Sequence, residues 1–334
     1  MLDQPESIQR ENGVFDTSGI LGRHPSIVEV KKLVKKVART PSTVLLTGES
    51  GTGKELVARE IHRLSPRNAF PFLIVNCSAL PDTLLESELF GHERGSFTGA
   101  ESSKPGLFEV ANGGTLFLDE VVDTSPASQA KLLGVLQSQE FRRVGGTVPR
   151  RVDVRIIAAC NRHLEDEVKK GKFRQDLFFR LNTVTLEISP LRERIEDIPL
   201  LVDHFLRKYE NLREEKVLQV ETEVMDALRN YPWPGNVREL EHVIERALVL
   251  GEGTSLRLVD LPAGVREATS GDKKSVKGVN GLSRLAEIER EYVLRVLRET
   301  GGNKRKAALI LGIDRSTLYR RLERYGETAH GSSD

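Results

Sequence analysis

The first place in this sequence where residue types and spacing can do chemistry is a glycine-rich run ending in a lysine. Gly48, Glu49, Ser50, Gly51, Thr52, Gly53 and Lys54 follow the pattern G-x-x-x-x-G-K, directly after the apolar run Val44 to Thr47 and directly before a helical stretch. Such glycines let backbone N–H groups turn inward around phosphate oxygens, the helix N-terminus adds its dipole, and Lys54 can reach β and γ phosphates. Glu55 stands where these loops carry a serine or threonine for Mg²⁺, so metal coordination must be arranged differently here. A second run, Leu116, Phe117 and Leu118, ends in the carboxylates Asp119 and Glu120. That order suits Asp119 to hold Mg²⁺ or its water shell and Glu120 to polarise a water attacking a γ-phosphate.

Two further stretches point to contact rather than to reaction. In Gly95, Ser96, Phe97, Thr98, Gly99 and Ala100 two glycines flank an aromatic and a hydroxyl, which reads as a mobile tip, poor as core and suited to contact. Between Thr300 and Gly326, seven basic residues (Lys304, Arg305, Lys306, Arg315, Arg320, Arg321 and Arg324) face two acidic ones (Asp314 and Glu323), a net of +5. The whole chain carries only +1, so the charge is concentrated where it would touch nucleic-acid phosphates. Ala307 to Ile313 followed by Asp314 to Leu322 reads as a helix, a tight turn and a recognition helix capped by Asp314.

The elements that must position these residues are legible as well. Short apolar runs at Val44 to Leu46, Phe72 to Val75, Leu116 to Leu118 and Val154 to Ala159 alternate with helical stretches such as Glu55 to Leu64 and Ser128 to Leu136, and Val184 to Ile188 supplies a fifth strand. That alternation predicts an α/β fold with a parallel sheet covered on both faces. A helix ahead of it begins at a capping box of Ser26 and Glu29, with Ile27, Val30, Leu33, Val34 and Val37 on one stripe. Past Pro190 the pattern becomes all helical: Ile195 to Tyr209, Val224 to Leu228 and Val237 to Leu250.

The expected division is therefore a flexible segment over 1–19, an α/β subdomain over 20–190 and a helical subdomain over 191–263. A Gly-, Ser- and Lys-rich linker over 264–281, a helix-turn-helix domain over 282–326 and a tail over 327–334 follow. With 334 residues, 50 basic against 49 acidic and 38% hydrophobic, two or three soluble domains are expected and a single small module is ruled out. Two cysteines without CxxC spacing support neither a disulfide scaffold nor a thiolate metal site. A polar start and no run of about 18 apolar residues argue against secretion and membrane spanning, hence for a cytoplasmic protein.

The stretch Glu86 to Ala100 closely resembles the surface-loop signature of the sigma-54-dependent transcription activators, the bacterial enhancer-binding proteins of the AAA+ ATPase superfamily. Their loop reads G-A-F-T-G-A, and here Ser96 replaces the first alanine. The resemblance spans roughly residues 18 to 326, with the motifs in family order. It implies an AAA+ phosphate-loop sheet flanked by helices, then a helical lid, then a small all-α Fis-type helix-turn-helix domain.

Residue by residue it implies that Gly95 to Ala100 contact the sigma factor and that Asn76 pairs with Glu120 to couple nucleotide state to that loop. Asn161, beside Cys160 where threonine is usual, would sense the γ-phosphate, and Arg238 would clamp phosphates from the lid. Leu21 and Gly22 would line an adenine pocket, and Arg174 and Arg180 would act as fingers on the neighbouring subunit's nucleotide. Arg315 and Arg320 would read bases, with Ser316, Thr317, Tyr319 and Arg321 also on the DNA.

The implied cofactors are ATP and Mg²⁺, and the implied partners are the sigma-54 RNA polymerase holoenzyme, enhancer DNA and further copies of the chain in a ring, commonly a hexamer. With the ATPase pattern starting by residue 20, either a regulatory protein acts in trans or a sensor domain has been removed. Two other readings stand beside this one. A helicase or its loader would share the phosphate loop but has no use for the Gly95 to Ala100 tip, and a DNA-binding repressor or scaffold would lack ATPase activity.

Overall fold

The computed structural model describes residues 19–97, 99–212, 217, 219–267, 292–293, 296–297, 300, 303–314, 317–319 and 322. The chain divides between Ser270 and Gly271 into two compact units.

In the first unit the five apolar runs become the five strands of one parallel sheet: β1 Val44–Thr47, β2 Phe72–Asn76, β3 Thr115–Asp119, β6 Arg155–Cys160 and β7 Val184–Glu187, in the order β2-β3-β6-β1-β7. Alternate residues feed opposite faces, as a strand's two-residue period requires. Leu116, Leu118, Ile156, Ala158 and Cys160 join Leu85, Phe90 and Phe108 in one core, while Phe117, Ile157 and Ala159 join Ile27, Val30 and Ile61 in the other. Burial on both faces is why these strands read as continuous apolar runs.

Helices cover both faces. They are α1 Pro25–Val37, α2 Lys54–Arg63, α3 Asp82–Phe90, α4 Leu107–Val110, α5 Pro126–Ser138, α6 Leu164–Lys169 and α7 Gln175–Leu181. A two-residue antiparallel pair, β4 Glu140–Phe141 with β5 Arg150–Arg151, forms a hairpin beside them. The start of α1 differs from the capping box expected at Ser26 and Glu29. Pro25 presets the first helical φ and His24 is the cap, its ring nitrogen accepting from the Ser26 amide, so the helix opens two residues earlier. At the other end of α1 the buried Arg155 guanidinium donates to the carbonyls of Val37 and Ala38, at 2.7 and 3.0 Å.

Beyond β7 two 3-10 turns, Leu191–Glu193 and Ile195–Asp197, lead into α8 Ile198–Lys208, α9 Thr222–Asn230, α10 Asn236–Leu250 and α11 Ala263–Arg266. This part has its own core, including Leu201, Phe205, Trp233, Leu240 and Ile244. It is not purely helical: β8 Gln219–Val220 pairs in parallel with β9 Ser255–Leu256. The turn ahead of α10 holds two non-glycine residues in the left-handed region, Trp233 at φ 50° and Asn236 at φ 54°. Among the described residues no helix is long and apolar enough to cross a membrane.

In the second unit the helix Lys304–Leu311 is capped by the Asn303 side chain, which accepts from the amides of Arg305 and Lys306. It ends at Gly312 with φ 64°, the left-handed stop that glycine allows. The Leu318 amide donates to the Asp314 carbonyl, as at the first turn of a following helix. Val293, Val296, Ala307, Ala308, Leu318 and Leu322 form the small core.

Candidate functional site

Three adjacent strands end together, and each delivers one part of the site. After β1 comes the glycine loop, whose last residue Gly53 caps α2 with φ 104°. Gly51 has φ 78°, and a Cβ there would lie 2.3 Å from the Gly235 carbonyl, so glycine is required by both conformation and space. Lys54 is only 7% exposed, and its ammonium donates to the carbonyls of Gly48 and Glu49 at 2.8 and 3.2 Å. After β3 come the carboxylates. Asp119 Oδ1 accepts from the Glu120 amide, and Glu120 has a left-handed backbone, φ 51° and ψ 47°, a strained conformation that aims its side chain. Glu120 Oε1 lies 3.8 Å from Lys54 Nζ. After β6 comes Asn161, whose amide donates to Glu120 Oε2 at 3.1 Å.

The electrostatics follow from burial. Desolvation raises the Glu120 carboxyl above the ordinary glutamate value, and the Asp119 charge adds to this, while Lys54 pulls the other way and loses. Cys160, beside this site, is fully buried, and its thiol is pushed up to about 12 by burial and the Glu120 charge, so it is no nucleophile.

Asn76 ends β2 in register with Asp119, and its side-chain oxygen accepts from the amide and hydroxyl of Ser78. The expected partner Glu120 is meanwhile engaged by Lys54 and the Asn161 amide, so the structure sets the Asn76 and Glu120 strand ends side by side but bonds each elsewhere. Glu55 is half-exposed and pairs with Arg59 one turn along α2. Leu21 lines an apolar recess beside Gly53 with Ile20, Leu56, Ile188 and Phe205. Gly22 instead backs onto Asp197 and Ile27, where a Cβ would meet Asp197 Oδ2 at 2.7 Å. Arg238 donates its amide to the Gly51 carbonyl and lines an open cleft with Ser50, His242 and Arg246.

Arg174 caps the start of α7 and Arg180 lies in its last turn, both exposed; Arg174 pairs with Asp176, and Arg180 donates weakly to the Leu136 carbonyl. The tip Gly95 to Ala100 is closed by the Gly95 amide on the Ala100 carbonyl at 2.9 Å. Phe97 lies edge-on to His92, with ring centroids 5.0 Å apart, and the Ser96 hydroxyl is buried without a partner among the described residues. The root of the tip is tied to the β4–β5 hairpin, with Val144 N donating to Gly91 O and Glu93 N to Val144 O. Thr98 lies outside the described residues, as do Arg315, Ser316, Arg320 and Arg321. Thr317 and Tyr319 are described, and Lys304 lies 5.0 Å over the Tyr319 ring.

Sequence reasoning missed three residues that frame the loop and one that holds the segment before α1. Arg192 forms a two-pronged pair with Glu49 at 2.8 and 2.6 Å, Arg194 donates to the Thr52 carbonyl, and buried Asn236 reaches Glu49 and Ser50. Asp197, also fully buried, accepts from the amides of Arg23 and His24. The only sequence signal was two arginines right after the last strand and an asparagine after Pro-Gly.

Comparison with known proteins places this geometry among relatives. Residues 20–187 match the sigma-54 interaction domain, 192–278 an AAA+ ATPase lid domain and 284–325 the Fis family of bacterial regulatory proteins. The regulatory protein AtoC of Escherichia coli is 46% identical over 311 residues, covering 92% of this chain and 68% of AtoC. The transcriptional regulatory protein ZraR of Salmonella typhimurium is 47% identical over 306 residues, with 92% and 68% covered. Among solved structures, NtrX from Brucella abortus in complex with ADP superposes with a TM-score of 0.71 at 36% identity, covering 93% of this chain and 70% of NtrX, and its complex with ATP superposes at 0.70.

Proposed function

The chain belongs to the family of sigma-54-dependent activators, as a nucleotide-binding AAA+ ATPase with a Fis-type DNA-binding domain, and from that premise we propose that it binds enhancer DNA, assembles into a ring and couples ATP hydrolysis to remodelling of the sigma-54 RNA polymerase closed complex. The observation that carries the reading is the approach of Lys54, after β1, and Glu120, after β3, to 3.8 Å across the end of β6, with the Asn161 amide that follows β6 on the same carboxylate.

In that arrangement water attacks the γ-phosphorus, Glu120 takes its proton, and the bond to the β-phosphate oxygen breaks to leave ADP and phosphate. The loop amides from Gly48 to Gly53 and Lys54 cradle the phosphates, Asn161 senses the γ-phosphate, and Leu21 borders the base, held there by the turn at Gly22 that packs on Asp197 and Ile27. Asp119 offers the hard oxygen that Mg²⁺ prefers, and no cluster of three His, Cys, Asp or Glu side chains among the described residues could hold a metal alone. Asp119 would hold the ion, which would supply neutralisation of the charge that develops on the phosphates; Glu55, paired with Arg59, supplies no hydroxyl to it. Arg174 and Arg180 reach a neighbouring subunit's nucleotide, which makes a ring, a hexamer by family habit, necessary for the reaction. Asn76 and Glu120 exchange partners with nucleotide state, and the tip Gly95, Ser96, Phe97, Thr98, Gly99 and Ala100 delivers the result to the sigma factor. Arg315, Ser316, Thr317, Tyr319, Arg320 and Arg321 hold the enhancer, in the bacterial cytoplasm, with a regulatory protein acting in trans.

The test is ATP-dependent open-complex formation on a sigma-54 promoter with purified polymerase. Intact protein should support melting, Glu120→Gln should lose hydrolysis and melting together, and Thr98→Ala should hydrolyse ATP without melting. Hydrolysis by intact protein with no melting would sink the activator reading in favour of another AAA+ motor, and no hydrolysis at all would favour a scaffold.

A further inference from the structure

A phosphate loop can receive phosphates only if its N–H groups face inward, and its carbonyls must then turn outward and find donors there. Here the first two carbonyls, of Gly48 and Glu49, are held by Lys54 itself. The next three are held from beyond the sheet. The Ser50 carbonyl accepts from Asn236 Nδ2 at 3.0 Å, the Gly51 carbonyl from the Arg238 amide at 3.3 Å, and the Thr52 carbonyl from Arg194 Nη2 at 3.2 Å.

The two side-chain donors are held at a cost that packing alone does not explain. Asn236 is fully buried and left-handed, a conformation that asparagine tolerates best among residues with a Cβ. Its amide joins three segments: Oδ1 accepts from the Leu191 amide at 2.8 Å, and Nδ2 also donates to Glu49 Oε2 at 3.1 Å. Arg194 is 3% exposed, a guanidinium taken out of water whose hydrogen bond goes to a loop carbonyl. Glu49, an acid in a loop that must meet phosphates, is masked by the Arg192 fork on the same carboxylate that Asn236 touches.

We propose that Asn236 and Arg194 are positioning residues for ATP hydrolysis: from the helical part they hold the Ser50 and Thr52 carbonyls outward and so fix the cup of amides that receives the phosphates. The proposal rests on the phosphate-loop reading above and adds that the cup is not self-sufficient. Whatever moves α10 and the turn before α8 also moves the cup, so nucleotide affinity and lid position are linked in both directions.

The test titrates the full chain with ATPγS by calorimetry and measures kcat and KM for ATP. Asn236→Asp keeps the acceptor for the Leu191 amide but turns the donor facing Ser50 into an acceptor and sets a second carboxylate against Glu49. It should weaken binding by about tenfold or more, with KM rising further than kcat falls. Adding Glu49→Gln restores a donor opposite position 236 and should recover at least about threefold of that loss, which a merely structural defect would not do. Arg194→Met tests the cup from its other end and decides the matter where Asn236→Asp does not fold. Binding by both single variants within about twofold of the parent overturns the proposal, as does a double variant no tighter than Asn236→Asp. Lys54→Ala separates the two levels. If it binds ATPγS like the parent, the phosphate-loop reading itself fails, whereas if it loses binding while the positioning variants keep it, only the positioning role fails.

Discussion

Two side chains show how burial at a single position becomes a measurable property. Desolvation holds the Glu120 carboxyl above the ordinary glutamate value, and only the carboxylate can accept the proton of the attacking water. Hydrolysis is therefore lost as pH falls through that raised pKa, so the acid limb of kcat/KM, which reports the free protein, should lie at higher pH than an exposed glutamate would give. Glu120→Gln should abolish the limb along with about a hundredfold or more of the rate, and an unchanged limb in that variant would assign it elsewhere. Ser96 is the converse case, since its hydroxyl is buried without a partner among the described residues and its Cβ sits 2.6 Å from where a Cβ on Gly145 would be. Ser96→Ala removes an unsatisfied polar atom and should raise stability by about 1 kcal/mol, or about 2–4 °C in Tm, leaving ATPase activity intact. A fall in Tm would show that the hydroxyl has a partner.

Elements were legible in the sequence where a single periodic signal dictated them. The three central strands β1, β3 and β6 stand out because both their faces are buried, the edge strands β2 and β7 as partly buried apolar runs, and α1 and α10 because one stripe is apolar. The pairs β4–β5 and β8–β9 were not, because two-residue strands carry no pattern, and α3 buries residues on more than one side and so shows no stripe. The same logic divides the site. Gly48 to Lys54 and Asp119-Glu120 are contiguous and could be read directly, whereas Asn236 and Arg194 meet the loop across 186 and 142 residues, where spacing says nothing. Arg155 belongs to this second class. It closes the end of α1 through two backbone carbonyls, and Arg155→Met would leave that of Ala38 without its donor while Val37 keeps the Thr40 amide and hydroxyl, at a cost of roughly 1–3 kcal/mol in urea unfolding. A loss smaller than this would mean that burial of the guanidinium offsets what its hydrogen bonds contribute.

At the scale of the whole molecule, the two arginines expected at the phosphates, Arg174 and Arg180, are exposed at the ends of α7, where Arg174 pairs with Asp176. If they complete a neighbour's site, a mixture of Arg174→Ala chains with Lys54→Ala chains should regain ATPase activity that neither has alone, because some interfaces join a sound finger to a sound phosphate loop. Two inactive preparations that stay inactive when mixed would place the arginines in cis or in structural pairs. The sheet adds a last consequence. Its two cores lie on its faces, while the reacting groups sit only at the strand ends, so a chain that has lost Glu120 keeps both cores. Such a chain would still take its seat among sound copies, and a cell making both would lose far more than half of its transcriptional output: a dominant defect, arising from a protein that is perfectly well folded.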